Sequence, residues 1–162
     1  MIDEIKNWIE NFVSVHNETI GHTPCPFAKE ALIRNKIDYK KVDKSNTLST
    51  LVHLADHWSD DFEVVCLYTD TKEFTPRELI ELVDAFNNNA MQQDIVALED
   101  HPDDLEEWKS VSLNFGKCII ILVQRLSKLN QASKILKRKG YYDSWDKDHY
   151  DDVVTWRFDK YS

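Results

Sequence analysis

Glycine is nearly absent from this chain: Gly21, Gly116 and Gly140 are the whole supply. Loops that cradle phosphate need closely spaced glycines, so neither a P-loop nor a dinucleotide fingerprint is present, which weighs against a standard nucleotide enzyme. Positive charge is also scarce. Twenty Lys and Arg face 29 Asp and Glu, for a net charge of -9. A nucleic-acid binder would show a basic face, so no nucleic-acid partner is expected. The one basic group, Lys134, Lys137, Arg138 and Lys139, falls at the end of a predicted helix and suits its C-terminal dipole. Long apolar runs are missing too. The longest, residues 118–123, is far too short to cross a bilayer, and the acidity disfavours anionic membranes. With no targeting pattern, the expectation is a cytoplasmic protein with no membrane partner. Only three cysteines occur, an odd number in a chain too large to need disulfides. Cys66 and Cys118 sit inside apolar strand-like runs and read as small core residues.

What is present is a globular composition: 162 residues, 42% hydrophobic and 11% aromatic, enough for one domain with a sizeable core. Apolar residues at Ile2, Ile5, Trp8, Ile9, Phe12 and Val13 predict a helix over residues 2–15. A second helix is expected over residues 25–35, a strand over 37–42, and a helix capped by Ser45 or Asn46. A buried strand follows at 62–69. Thr75-Pro76-Arg77-Glu78 marks a helix start, with Thr75 as cap, Pro76 in the first position and Glu78 three residues after the cap. That helix is expected to fade in Asn87-Asn88-Asn89. Strands follow at 94–98 and 117–124, the second apolar on both faces and therefore central. A helix over 126–139 is closed by Gly140. The pattern predicts a single α+β sandwich over residues 1–140, with a sheet of about four strands packed by helices.

Residues 141–162 differ. They carry Tyr141, Tyr142, Trp145, Tyr150, Trp156, Phe158 and Tyr161, interleaved with six aspartates. Such aromatic content predicts packing on the core or on a partner subunit, which permits a homodimer, with residues 153–158 as an edge strand.

Two of the four prolines flank one sulfur in His22-Thr23-Pro24-Cys25-Pro26-Phe27-Ala28-Lys29. With Pro26 as first helical residue, Cys25 sits at the N-cap, facing unpaired amides and the positive end of the dipole. Lys29 lies one turn further on the same face. Both influences lower a thiol pKa, predicting a reactive thiolate. His22 is a proton-transfer candidate, and Phe27 a substrate contact. The second constellation is His101-Pro102-Asp103-Asp104, after a strand end where functional loops gather. His101 is a candidate base and Asp103 a substrate contact. His22, Cys25 and His101 together form an alternative metal set for zinc or iron. His53 and His57, one helical turn apart, are a second, weaker metal pair. Each motif has a plain counterpart: a cysteine anchoring a helix start, a solvated acidic turn, surface histidines.

Locally, Cys25-Pro26-Phe27-Ala28-Lys29-Glu30-Ala31-Leu32, followed by Ile37-Asp38-Tyr39-Lys40-Lys41-Val42-Asp43, resembles the active-site helix and next strand of a glutaredoxin. That resemblance implies a low-pKa thiol at Cys25. More of the chain resembles an uncharacterised bacterial domain family marked by a CPFA box. There a Trp-bearing amphipathic helix (here residues 8–13) precedes the box, and a strand leads to a His-Pro-Asp element (here residues 95–103). The resemblance implies that Cys25 and His101 share one site.

The leading expectation is a small enzyme using Cys25 as a thiolate in redox or nucleophilic chemistry. His101 or His22 would move the proton, and Lys29 would give electrostatic support. Its substrate would be a small molecule or a disulfide. The rival is a non-catalytic module that binds an anion, another small ligand or a protein. A third reading, an acidic decoy for a nucleic-acid-binding protein, is disfavoured by the scattered lysines. The residues leave open whether the chain is an enzyme, and they name no cofactor.

Overall fold

The apolar runs become neighbouring strands because each has two faces to bury. A computed structural model describes residues 1–161; the side chains of Asp159, Lys160 and Tyr161, and all of Ser162, lie outside the described residues. Strands β1 (Ile37–Lys41), β2 (Val64–Thr69) and β3 (Ile95–Asp100) are followed by a small hairpin, β4 (Glu107–Trp108) with β5 (Val111–Ser112), and then by β6 (Ile119–Arg125). The main sheet has the order β1-β2-β6-β3. β1 and β2 are parallel, and β6 runs antiparallel to both β2 and β3.

Helices cover both faces. They are α1 (Ile2–Trp8), α2 (Ala28–Ile33), α3 (Thr47–Asp56), α4 (Pro76–Ala90), α5 (Leu126–Arg138), α6 (Lys147–Tyr150) and α7 (Trp156–Tyr161). Alternation along β6 divides the core. Ile119, Ile121 and Val123 pack with Leu51, Leu54, Leu79, Val83 and Phe86 from α3 and α4. Ile120 and the half-buried Leu122 pack with Ile5, Ile9 and Ala31 on the other side. Burying each such side chain contributes about 1.5–3 kcal/mol, so a strand apolar on both faces belongs inside the sheet, as its sequence predicts. The fold is a single α+β domain, and Cys66 and Cys118 are core residues of the second cluster.

The start of α4 matches its sequence signature. Thr75 Oγ1 accepts the Glu78 amide at 3.1 Å, with Pro76 opening the helix. Its end does not. The helix runs through the three asparagines to Ala90, because Asn87 is buried and uses its side chain on the backbone of β3. The first helix is also shorter than predicted: after Trp8 it widens into a π turn, Ile9–Val13. Residues 153–158 are helical rather than an edge strand. Asp146 Oδ1 accepts the His149 amide, and Asp151 holds both Lys147 and Thr155 four residues either side, a spacing only helix provides. Val154 and Arg157 thus fall on one buried face, and Arg157 Nη2 donates to Ser133 Oγ of α5 at 3.0 Å. No described helix is long and apolar enough to cross a membrane.

Candidate functional site

The segment before Cys25 folds on itself. Asn17 donates its amide to His22 O at 3.0 Å, and its side-chain oxygen accepts the Thr19 and Ile20 amides. Gly21 closes this turn at φ +82°, a left-handed conformation that suits glycine. The Cys25 amide then donates to Val13 O at 2.8 Å, fastening the loop to the end of the first helix.

Helix α2 begins at Ala28, with Phe27 as its cap, not at Pro26 as predicted. The Cys25 carbonyl accepts the Ala28 amide at 3.3 Å across Pro26 and Phe27. That is a turn with proline in its second position, which suits a fixed φ as well as a helix start does. Cys25 therefore precedes the helix instead of capping it. The residue is exposed, but protein packed around its sulfur is the largest influence on the thiol and raises its pKa. Hydrogen bonds from the Phe27 and Ala28 amides act in the opposite sense and are the smaller effect. Lys29 is not among the groups that act on the thiol, and it forms no ion pair among the described residues. Phe27 is itself exposed.

Tyr141 closes the site from 118 residues away. Its hydroxyl donates to Thr23 O and, at 3.3 Å, to Pro24 O. What aims it there is the end of α5. The Gly140 amide donates to Lys137 O and the Tyr141 amide to Leu136 O, a Schellman closure with Gly140 at φ +79°. A Cβ on Gly140 would also meet Asp143 Oδ2 at 2.8 Å. Gly140→Ala should cost about 1–2 kcal/mol, read as a lower urea midpoint, and should loosen Tyr141 from the Cys25 loop.

His22 lies under Tyr141. Only 8% exposed, its ring packs 5.2 Å from Tyr141 and 5.1 Å from Trp145, and neither ring nitrogen has a hydrogen-bond partner among the described residues. Burial, then His149, His16 and Lys109, hold its pKa below the ordinary imidazole value, so it is neutral near pH 7. A cleft of about 380 Å³ opens beside it, lined by His16, Thr23 and Pro26 on one wall and by Tyr141, Asp143 and Ser144 on the other.

His101 is occupied elsewhere. It is buried, with Nε2–H donating to Phe74 O at 2.6 Å and Nδ1 accepting the Asp103 amide at 3.0 Å. Asp103 thus contributes its backbone to holding a histidine, and its side chain is exposed to solvent. Three residues on, Glu106 is exposed as a residue, but the protein packed around its carboxyl, then Asp100, Asp104 and Glu99, push it up to about 7. No hydrogen bond or ring contact among the described residues joins His101 to Cys25 or His22. The expected metal set of His22, Cys25 and His101 is likewise not assembled, and no group of three or more His, Cys, Asp or Glu able to hold a metal occurs among the described residues. His53 and His57 do face each other, with ring centroids 4.8 Å apart.

Compared with family models, with curated proteins and with solved structures, the chain matches none. The site therefore rests on its own geometry. The sequence singles out Cys25 and His22 as candidates and names Tyr141 and Trp145 in an aromatic segment expected to pack on the core or on a partner; that these two rings meet His22, and that a cleft opens beside them, has no signal in it.

Proposed function

We propose that the protein is a non-catalytic binding module that takes a small molecule in the cleft between residues 21–26 and 140–144. His22 is the observation that carries this reading. A buried imidazole with no partner costs about 1–3 kcal/mol per unmet group; both nitrogens are covered in the ligand-free chain, and a ligand that parts the cleft walls would meet one donor and one acceptor there. The cleft volume of about 380 Å³ fits the small-molecule range. The thiolate-enzyme reading loses support from the raised Cys25 pKa and from the absence of a base bonded to the sulfur among the described residues. What still favours it is the exposed residue with two amides on its sulfur.

Two measurements test the choice. Iodoacetamide labelling of folded protein, mapped by mass spectrometry, should leave Cys25 slow at pH 7, with its rate rising only above about pH 8.5. Screening small amides and heteroaromatics by NMR should yield compounds that shift the Gly21, His22 and Tyr141 amides equally in wild type and Cys25→Ser. Fast labelling at pH 7, or binding that needs the thiol, would return the site to thiol chemistry.

A further inference from the structure

Three segments far apart in sequence meet in one aromatic stack. His22, from the turn before Cys25, packs on Trp145. Trp145 meets His149 with ring centroids 4.5 Å apart, and His149 lies flat on Trp108 of the β4–β5 hairpin at 4.2 Å, with planes 9° apart. Tyr142 stands edge-on to Tyr141, Trp145 and Tyr150 and stiffens the same cluster. The tail, the hairpin and the Cys25 loop are thus joined through two imidazoles.

We propose that the His22–Trp145–His149–Trp108 stack is an acid-released latch: protonation of His22, reinforced by His149, frees residues 141–150 from the Cys25 loop and opens the cleft. The packing requires His22 to be neutral. As a cation it would be a buried charge with no hydrogen-bond partner among the described residues. The charged groups that act on it from neighbouring segments are His16 behind the first helix, Lys109 at the hairpin tip and His149 of α6, all of one sign. Tyr141 faces it, and Tyr142 packs against Tyr141, both as neutral phenols whose ionisation is suppressed by burial. Asp143 lines the same cleft and makes no ion pair with His22 among the described residues. His149 is pulled both ways. Burial lowers its pKa, and Asp146 and Asp152 raise it by less.

The sign follows. Above about pH 6.5 an exposed imidazole is neutral, so latched and open forms bind the same number of protons. Below that, the open form takes up protons first, and acid draws the equilibrium towards it. One histidine gives up to about a tenfold change in the opening constant per pH unit, and two give up to about a hundredfold. This device rests on packing alone and does not depend on the cleft having a ligand.

Hydrogen exchange by mass spectrometry on the ligand-free chain tests it, with rates corrected for intrinsic chemistry. Between pH 7.5 and 5, protection over residues 141–150 should fall as the pH drops below about 6.5, by at most about tenfold per unit for each histidine, while β2 and β6 keep theirs. His22→Phe preserves a ring in the stack and should flatten that dependence. Equal pH dependence in His22→Phe, or loss of protection in the tail and core together, overturns the latch. NMR titration of the wild-type His22 ring decides independently of whether the variant folds. A pKa below about 6.5 supports the latch, and one at or above it means that the ring faces of Tyr141 and Trp145 hold the cation in place, which overturns it.

Discussion

Asn87→Ala is expected to lower the unfolding free energy by about 3 kcal/mol, measured by urea denaturation. β3 is an edge strand, paired with β6 on one side only. On its open side Ala97 is 1% exposed, so its N–H and C=O need partners that water cannot supply. Asn87 provides both: Nδ2 donates to Ala97 O and Oδ1 accepts the Ala97 amide, each at 2.9 Å. One primary amide thereby replaces a neighbouring strand, pinning α4 to the sheet. Alanine removes two bonds and leaves two buried groups unmet, each costing about 1–3 kcal/mol. Asn87→Asp separates the roles. Ionised, it keeps the acceptor but turns a second oxygen on the Ala97 carbonyl; protonated, it can donate again. The aspartate variant should therefore lose more at pH 7 than at pH 4. A cost below about 1 kcal/mol for Asn87→Ala would mean that β3 holds its place without the clamp.

That clamp also marks where sequence stops being informative. Asn87-Asn88-Asn89 reads as a fading helix because asparagine has poor intrinsic helix propensity. The deciding interaction is tertiary, and it overrides the propensity. What is legible has local causes: the capping residues of α4, the two-faced apolar run of β6, and the glycine that ends α5. The cysteine loop is half legible. Two prolines do mark a fixed backbone, but a proline suits both the second position of a turn and the first of a helix, and only the position of the Ala28 amide distinguishes them. Residues 153–158 mislead for a different reason. Their apolar residues lie close enough to alternate, while the Lys147–Asp151–Thr155 bonds that impose helix come from polar side chains outside the pattern. Nothing local announces that Tyr141 reaches Thr23, or that His22 will be enclosed by the tail.

His101 is the residue for which the two descriptions differ most in consequence. As a proton-transfer partner it would be dispensable for folding; as placed, it ties β3 to the segment before α4. Phe74 O accepts from Nε2–H, and the Asp103 amide donates to Nδ1, so the imidazole spans two backbone groups with a fixed tautomer. The loop beyond depends on the same corner. Asn114 Nδ2 donates to His101 O, Asp100 Oδ1 and Asp104 O, and the Phe115 amide donates to Asp100 Oδ2 at 2.9 Å. His101→Leu keeps the volume near the original but strands one carbonyl and one amide, an expected loss of about 2–4 kcal/mol. His101→Gln, with a donor and an acceptor on a shorter group, should recover part of it. Under conditions where each variant is folded, the rate and pH dependence of Cys25 alkylation should match wild type. A shifted alkylation profile with stability intact would instead connect His101 to the thiol, and would restore the site that the CPFA-box resemblance implies.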